Sequence, residues 1–444
     1  MQKRFTPLVV IISLFLLTFY GCKSDPVSTP VDPLSNYQKP FSTSGITILD
    51  AQYIDTTQLM SHIDKFAASP NYYLADFGNH VQNLPNVSGA RIIWYCKISY
   101  TSTDNKGAPI TLTGKLIYPY FPGKDITAPL ISFQHATELM KKNAPSQWQI
   151  NSNPGEFSEV TIAAGLAFKN SWAVILPDYQ GMGDDTGEPH PLCNADRLGK
   201  STADLIANME AYLKSKSNNT NLVWNGQLFL MGFSEGGYAT LAAVKELEKR
   251  GGITITGAAC MDAPLDITGA MIDVMLSDSP FGAPYFLPYL LRGYNSVYES
   301  SKVFNFDSIL VAPYNKDLWT LADGFHTTAE VNAKMPSDKI VKKIFKQSTI
   351  DSMRTPNSSI WKILHENDIW NGWVPKSKIM IAHCMNDDLV PYGNYTKVKS
   401  VWSGQSNIEF FELGQCRNYL GSVHVSIAPW AFLQGTLWIS EQVK

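Results

Sequence analysis

The sequence predicts an α/β protein in which a mostly parallel central sheet is covered by helices on both faces and carries an inserted cap. From about Arg91 onward, short β-branched or apolar runs alternate with longer amphipathic stretches, which is the pattern of strands followed by crossover helices. The chain of 444 residues has a hydrophobic content of 44%, so it can bury the core that such a sheet needs. One interval between two apolar runs is far longer than a usual crossover, and we expect the cap there.

The sheet is expected to open with an antiparallel hairpin. Its strands are predicted at residues 92–100 and 110–118, joined by the turn Thr103-Asp104-Asn105-Lys106-Gly107. Six buried strands should follow, at residues 129–133, 172–176, 227–231, 253–259, 379–383 and 408–411. Helical periodicity between these strands is clearest at residues 201–213 and 238–248.

The cap is predicted at about residues 267–374, between the fourth and fifth of these buried strands. It has apolar segments of its own, including a proline-broken aromatic run at residues 280–291. This run suits a wall over an apolar pocket, and packing inside the cap would account for the same residues equally well.

The first 22 residues have the layout of an export signal. Lys3 and Arg4 precede an apolar run at residues 8–19, which is too short for a comfortable membrane span. Gly21-Cys22 ends the segment and resembles the lipobox of bacterial lipoproteins, in which the cysteine thiol is acylated. We therefore expect Cys22 to be a lipid anchor, and an ordinary cleaved signal peptide is the alternative interpretation.

Residues 23–45 are predicted to be a flexible tether, because Ser, Pro, Asp and Thr dominate a stretch with few apolar residues. The folded domain is expected at residues 46–444. Signal, anchor and tether together predict an exported protein held at a membrane, on the periplasmic face or at the cell surface.

Charge and cysteine spacing argue against two other kinds of site. The formal net charge of −3, from 36 basic and 39 acidic residues, leaves no broad basic field for nucleic-acid binding. The five cysteines after Cys22 lack the spacing of metal ligands, so no metal is expected. A disulfide between Cys384 and Cys416 and a pair of buried free thiols are equally good interpretations.

The central local signal is the sequence Gly232-Phe233-Ser234-Glu235-Gly236-Gly237. It follows the apolar run at residues 228–231 and leads directly into the helical stretch at 238–248. A serine in such a strand-to-helix turn points its hydroxyl into the site, and the flanking glycines permit the tight crossing of strand and helix. Ser234 is therefore the predicted nucleophile.

A serine nucleophile needs a base within hydrogen-bond reach and an acid that orients the base. In this arrangement they follow the serine in the order acid, then histidine. Asp387 is the predicted acid, because it follows a strand and has D-x-x-V-P spacing to Val390-Pro391. Asp388 is the alternative acid, and an ordinary turn aspartate is a further interpretation. His424 is the predicted base, since it alone among the eight histidines follows Asp387.

Two backbone N–H groups should stabilise the oxyanion that forms during the reaction. Glu235, directly after the nucleophile, is expected to supply the first. Ala136 or Thr137 is expected to supply the second, since both leave an apolar strand at the right place in the chain. His135 should shape this loop, and His383, at the end of another strand, is also assigned a structural role.

The glycines of the loop at residues 178–185 do not form a dinucleotide-binding motif. Gly181 and Gly183 have the first spacing of that motif, but the third glycine is missing and no helix begins at once. We interpret this loop as part of the rim of the site.

Together these motifs resemble the secretory lipase branch of the α/β-hydrolases, from about Ile92 onward. The matching features are Ile117-Tyr118-Pro119, Gln134-His135-Ala136-Thr137, Pro177-Asp178-Tyr179, Gly181 and Gly183, His190-Pro191, the serine turn, Ala263-Pro264, and Asn367-Asp368 with Trp373 and Pro375. The resemblance implies an α/β-hydrolase fold, hydrolysis of acyl esters, an acyl pocket formed by the cap, and no cofactor. Two residues depart from the family pattern: Ala136 stands where glycine is usual, and Glu235 stands where a smaller or neutral residue is common. The resemblance therefore does not determine which substrate is preferred.

The leading hypothesis is an esterase or lipase that forms an acyl-enzyme on Ser234. Its expected partners are an ester substrate, which is a lipid, a glycan ester or a small molecule, and a membrane bound through the N-terminal lipid anchor. A serine peptidase of the prolyl-oligopeptidase kind is the first alternative, but the sequence has no propeller repeat ahead of the catalytic residues. A surface lipoprotein that uses the fold only for binding is the second. A pure binder has no physical need for a nucleophile, an acid and a base in the correct order.

Overall fold

A computed structural model describes residues 41–43, 45–87, 89–149, 158–215 and 220–444. Ten strands form one sheet in the order β1-β2-β3-β4-β6-β5-β7-β8-β9-β10. The strands are β1 (Phe41–Thr43), β2 (Ile46–Asp55), β3 (Ile92–Thr103), β4 (Pro109–Tyr120), β5 (Ile126–Gln134), β6 (Ala173–Pro177), β7 (Leu222–Phe233), β8 (Gly257–Met261), β9 (Ile379–His383) and β10 (Ile408–Glu412).

The predicted fold class is confirmed. The pairings from β6 through β5, β7, β8 and β9 to β10 are all parallel. The pairings among β1, β2, β3 and β4, and that of β4 with β6, are antiparallel. In a parallel sheet the carboxyl ends of neighbouring strands meet at one edge, which is where ligands bind in open α/β sheets.

The helices cover both faces of the sheet. They are α1 (Thr56–Ala67), α2 (Tyr72–Asn83), α3 (Glu159–Asn170), α4 (Ala195–Lys214), α5 (Glu235–Arg250), α6 (Ile272–Met275), α7 (Phe286–Val297), α8 (Phe306–Ile309), α9 (Tyr314–Leu321), α10 (Thr328–Asn332), α11 (Gln347–Arg354), α12 (Ser359–Glu366), α13 (Gly393–Val401) and α14 (Val423–Ser440). The described helices include none that is long and apolar enough to cross a membrane.

Alternating side chains of each central strand enter two separate cores. On β7, Leu228 and Leu230 pack with α4, α5, α13 and the helices of the cap, whereas Phe229 and Met231 pack with α1, α2, α3 and α14. This is the two-residue period of a strand buried on both faces. It explains why the central strands appear in the sequence as continuous apolar runs.

The antiparallel hairpin is present as β3 and β4, but the prediction that it opens the sheet is wrong. Two strands and two helices precede it, and β2 pairs along β3 from Ile46 opposite Tyr100 to Asp55 opposite Ile92. β2 is nearer the edge of the sheet, and Asp50 and Gln52 interrupt its apolar residues, so it lacks the continuous apolar run of the central strands. β1 lies within the predicted tether, so the sheet begins before residue 46; residues 1–40, with Cys22, lie outside the described residues.

The interval between β8 and β9 consists of short helices, α6 through α12, and in its described residues contributes no strand to the sheet. These helices lie over the carboxyl ends of the central strands, and side chains of α6 and α7 reach the turn between β7 and α5. The insertion therefore covers the part of the sheet where the predicted nucleophile lies.

Candidate active site

Ser234 occupies a tight turn between β7 and α5. Its backbone has a φ of 57° and a ψ of −125°, which is strained for a residue with a side chain. A Cβ atom at Gly232 would lie 2.2 Å from the carbonyl oxygen of Gly236, and one at Gly236 would lie 2.1 Å from that of Gln134. Glycine is required at both positions, so the turn can hold the serine hydroxyl at the end of the sheet.

His424, in the first turn of α14, meets both Ser234 and Asp387. Its Nε2 lies 2.8 Å from Ser234 Oγ, and its Nδ1 lies 2.5 Å from Asp387 Oδ2. Because a carboxylate oxygen only accepts, Nδ1 carries the proton and Nε2 is left to accept the proton of the serine. The three residues are 4 to 8% exposed, so water competes little for these hydrogen bonds.

The structure distinguishes the two adjacent aspartates. Asp387 faces His424 with one oxygen, and its other oxygen accepts the backbone N–H groups two and three residues further on, at 2.9 and 2.8 Å. Asp388 turns away, and its Oδ1 accepts the Ser422 hydroxyl at 2.7 Å and the His424 backbone N–H at 3.0 Å. Burial alone would raise the pKa of Asp387, but the facing His424 and the backbone donors hold this pKa below its ordinary value.

A disulfide fastens the loop of Asp387 to the loop that leads to His424. Cys384 and Cys416 are bonded, so the disulfide is the correct one of the two interpretations left open by the sequence. Asn386 adds two hydrogen bonds, since its side chain accepts the Cys416 N–H at 2.7 Å and donates to the Cys416 carbonyl at 2.9 Å. The other cysteines in the described part of the chain, Cys96, Cys193 and Cys260, are buried and are not disulfide-bonded.

The two candidates for the second oxyanion donor differ in their surroundings. The Ala136 N–H already donates to both carboxylate oxygens of Glu159, at 3.2 and 3.1 Å, and burial raises the pKa of Glu159 to about 8. Thr137 instead lines both cavities that meet at Ser234. Glu235 begins α5, where N–H groups have no carbonyl partner within the helix. The Ala136 N–H is therefore already engaged, whereas Thr137 lies where the two cavities meet.

A buried ion pair beside the nucleophile was not foreseen from the sequence. His190 Nε2 lies 2.7 Å from Glu235 Oε1, and its Nδ1 lies 3.0 Å from the carbonyl oxygen of Gln180. Burial alone would lower the pKa of His190, but the Glu235 carboxylate outweighs this effect and the pKa is raised. The His190 ring stacks on Tyr179, which stacks in turn on His135. The pair thus connects the first residue of α5 to the loop before Thr137.

The glycine-containing loop after β6 is held by a buried lysine. Lys141 Nζ donates to the carbonyl oxygens of Gly181 at 2.6 Å, Asp185 at 2.9 Å and Glu188 at 3.1 Å. A Cβ at Gly183 would lie 2.0 Å from a carboxylate oxygen of Asp178. A larger residue would clash there, so close packing accounts for this glycine. The carbonyl groups of this loop therefore bind the ammonium group of Lys141.

Two cavities meet at Ser234 and His424. One, of about 620 Å³ among the described residues, is a groove whose walls include Glu138, Lys142 and Gln147. The other, of about 90 Å³, lies under the cap and is almost wholly apolar. The predicted aromatic run of the cap supplies five of its side chains, as expected of a pocket wall: Phe281, Phe286, Leu287, Leu290 and Leu291.

One cluster near the site has the composition of a metal centre. The ligand atoms of Asp262, His383 and Asp387 all lie within 4.8 Å of one another, and all three residues are buried. Both Asp387 oxygens, however, already accept hydrogen bonds, and His383 Nδ1 lies 2.9 Å from the Cys384 carbonyl oxygen. The contacts describe a hydrogen-bonded cluster, and we propose no metal here.

Comparison with solved structures places the fold among the α/β-hydrolases. A putative hydrolase from Legionella pneumophila is 20% identical, with a TM-score of 0.69 over 83% of this chain and 94% of that one. The rice cell wall degrading esterase LipA from Xanthomonas oryzae is 17% identical, with a TM-score of 0.67 over 89% and 96%. Candida antarctica lipase A in its closed state is 17% identical, with a TM-score of 0.59 over 90% and 82%. The fold is that of lipases and esterases.

The family model of the secretory lipases matches residues 157–442. The match spans more than half of the chain, and the chain therefore belongs to the secretory lipase family, a family of ester hydrolases. No curated protein matches the sequence.

Proposed function

We propose that the protein is a serine esterase or lipase that cleaves carboxylic esters through an acyl-enzyme on Ser234. The observation that carries this proposal is the continuous contact from Ser234 Oγ through His424 to Asp387, at the junction of the two cavities. A nucleophile, a base and an acid in hydrogen-bond contact are what acyl transfer requires.

In the proposed reaction, Ser234 Oγ bonds to the ester carbonyl carbon while His424 Nε2 takes the hydroxyl proton. The oxyanion accepts hydrogen bonds from the N–H groups of Glu235 and Thr137. The tetrahedral intermediate then collapses, the bond to the alcohol oxygen breaks, and the histidine gives its proton to the leaving alcohol. Water repeats the sequence on the acyl-enzyme, releases the carboxylic acid and restores Ser234.

The two cavities suit the two parts of an ester. The apolar pocket under the cap favours the acyl chain, because its lining offers almost no hydrogen-bonding group. The groove, with charged and amide side chains, favours a polar alcohol part. Since a structurally similar protein is described as a rice cell wall degrading esterase, acetylated and feruloylated glycans belong beside lipid esters among the substrates to be tested.

A chain-length series tests this use of the pocket. Met275 lines the apolar cavity and is 9% exposed, and a methionine there can adapt to chains of different length. Replacing it with tryptophan should lower kcat/KM for p-nitrophenyl octanoate by about tenfold or more and change acetate hydrolysis by less than about threefold, since filled space excludes only the longer chain. Equal losses on both esters would contradict an acyl role for this cavity.

We also propose that the chain is exported and anchored through Cys22, on the pattern of the first 22 residues. The wild-type protein should stay with membranes after salt and carbonate washing, whereas Cys22→Ser should appear in the soluble fraction with undiminished hydrolysis of p-nitrophenyl acetate. Retention of Cys22→Ser in the washed membranes would refute the lipid anchor and leave the catalytic proposal untouched.

The alternative functions make different predictions for the same protein preparation. A serine peptidase of the prolyl-oligopeptidase kind would cleave prolyl peptide substrates faster than esters, and the apolar pocket offers little for a peptide backbone to bond. A binding lipoprotein would hydrolyse neither. Ester hydrolysis that depends on Ser234 distinguishes the proposed function from both.

A further inference from the structure

A second buried aspartate lies behind the proposed catalytic acid. Asp262 directly follows β8 and has no exposed surface. Its Oδ1 accepts the backbone N–H of Cys384 at 2.8 Å, across the ends of two neighbouring strands. Its backbone has a φ of 44°, a region in which asparagine and aspartate are the most tolerated side chains after glycine. The backbone conformation and the hydrogen bond to Cys384 therefore both suit an aspartate or asparagine side chain at this position.

The carboxyl groups of Asp262 and Asp387 are both buried, and an oxygen of one lies within 4.8 Å of an oxygen of the other. Two buried carboxylates this close would repel each other strongly if both were ionised, so one of them should carry a proton. Asp387 is the ionised partner, since its oxygens accept three N–H groups: one from the His424 ring and two from the backbone. We therefore place the proton on Asp262, whose Oδ2 has no hydrogen-bond partner among the described residues.

We propose that Asp262 is a neutral carboxylic acid whose O–H donates to Asp387 and holds it in the position that orients His424. Asp262 is then a positioning residue, which acts on the reaction only through Asp387. This inference rests on the proposed function of the site.

The surroundings of Asp262 agree with a neutral group. Burial, and then the charge of Asp387, raise the pKa of Asp262 well above its ordinary value. His383 Nδ1 lies 3.4 Å from Asp262 Oδ1 but donates to the nearer Cys384 carbonyl at 2.9 Å. Burial lowers the pKa of His383, so it offers Asp262 no compensating positive charge. The remaining titratable neighbour, the buried Cys260 thiol on β8, has its pKa raised by burial and stays neutral.

Ionisation of Asp262 would remove the donor and place a second negative charge beside Asp387. The hydrolytic rate should therefore fall at alkaline pH, as Asp262 loses its proton. The free energy of unfolding should also fall at alkaline pH. The folded protein keeps this proton, whereas an unfolded chain releases it above about pH 4. The free energy of unfolding therefore falls as pH rises from there toward the pKa of folded Asp262.

Two substitutions separate the hydrogen bond from the charge. In Asp262→Asn the amide oxygen can keep the Cys384 N–H, and the amide NH₂ can donate to Asp387 without ever ionising. We expect kcat at pH 7 within about threefold of wild type, and activity that persists at alkaline pH after the wild type declines. In Asp262→Ala the donor is lost, and kcat should fall by about tenfold or more with little change in KM, as for other groups that orient a functional side chain.

Thermal unfolding gives a readout that does not depend on catalysis. Asp262→Asn should unfold at a higher temperature than wild type at pH 7. Asp262 releases its proton when the chain unfolds, which favours the unfolded state, and an amide has no such proton to release. Asp266→Asn is the matched control. Asp266 is also buried, but its two oxygens accept the Trp370 indole N–H at 3.1 Å and the Ala270 N–H at 2.9 Å, so an amide there should lower the unfolding temperature.

The proposal is overturned if Asp262→Asn loses as much activity as Asp262→Ala, if it leaves both the alkaline decline and the unfolding temperature unchanged, or if the purified protein contains one equivalent of bound metal. Failure of the proposed function has a different signature, namely a wild-type protein without Ser234-dependent ester hydrolysis. In that case the comparison of unfolding temperatures still decides whether Asp262 is protonated.

Discussion

Replacing Ser234 with alanine should abolish ester hydrolysis and labelling by a fluorophosphonate probe. Only Oγ is removed, so His424 and Asp387 keep their contact with each other but have no nucleophile to activate. The expected loss in kcat is about 10⁶-fold, the scale found when the nucleophile of a serine triad is deleted. Measurement of kcat with p-nitrophenyl acetate and in-gel detection of the probe would test this directly.

The folded state of the variant must be checked at the same time. Ser234→Ala should unfold at nearly the temperature of the wild type, since the strained turn is fixed by its glycines and by the Ser234 N–H, which donates to the Met261 carbonyl at 2.9 Å. Ser201→Ala is the matched control, because Ser201 is also buried but lies on α4. Labelling that survives in Ser234→Ala would show that the probe reacts elsewhere and would remove the basis of the proposed mechanism.

Replacing Asp387 with asparagine should lower kcat by about 10⁴-fold, with folding preserved. An amide NH₂ facing His424 Nδ1 favours the tautomer whose proton is on Nε2, and that nitrogen can then no longer accept the proton of Ser234. The loss should appear in kcat rather than in KM, because Asp387 does not contact the cavities in which substrate would bind.

The neighbouring aspartate is the control for this experiment. Asp388→Asn keeps an oxygen for the Ser422 hydroxyl and the His424 backbone N–H, so kcat should change by about tenfold at most, as expected when a partly exposed hydrogen bond is weakened. A larger loss in Asp388→Asn than in Asp387→Asn would mean that the acid is misassigned by one residue. Mild effects in both would place the acid on another strand.

Local sequence patterns were sufficient for the fold class and for the choice of candidate residues. The central strands are buried on both faces, so each is visible as an apolar run. The turn around Ser234 is visible because close backbone contacts exclude every residue but glycine at positions 232 and 236. His424 could be selected because order along the chain left no other histidine. The structure brings these residues together, and their catalytic roles stay predictions until the variants are measured.

Edge strands and loops were less visible. β1 has only three residues, and the apolar run of β2 is interrupted by Asp50 and Gln52, so neither shows the continuous apolar run of a strand buried on both faces. The use of the Ala136 N–H by Glu159 could not be predicted either, because those two residues are separated in sequence and meet only where β5 and α3 approach the same edge.

The sequence by itself determined the central strands, helices α4 and α5, and which residue types the site contains, since these depend on interactions between near neighbours in the chain. Only the tertiary structure decided that Asp387 rather than Asp388 faces His424, that Glu235 pairs with His190, and that Asp262 lies against Asp387. The order of strands in the sheet sets these contacts. Placing β8 beside β9 brings aspartates 125 positions apart into one buried cluster, and no local pattern records that adjacency.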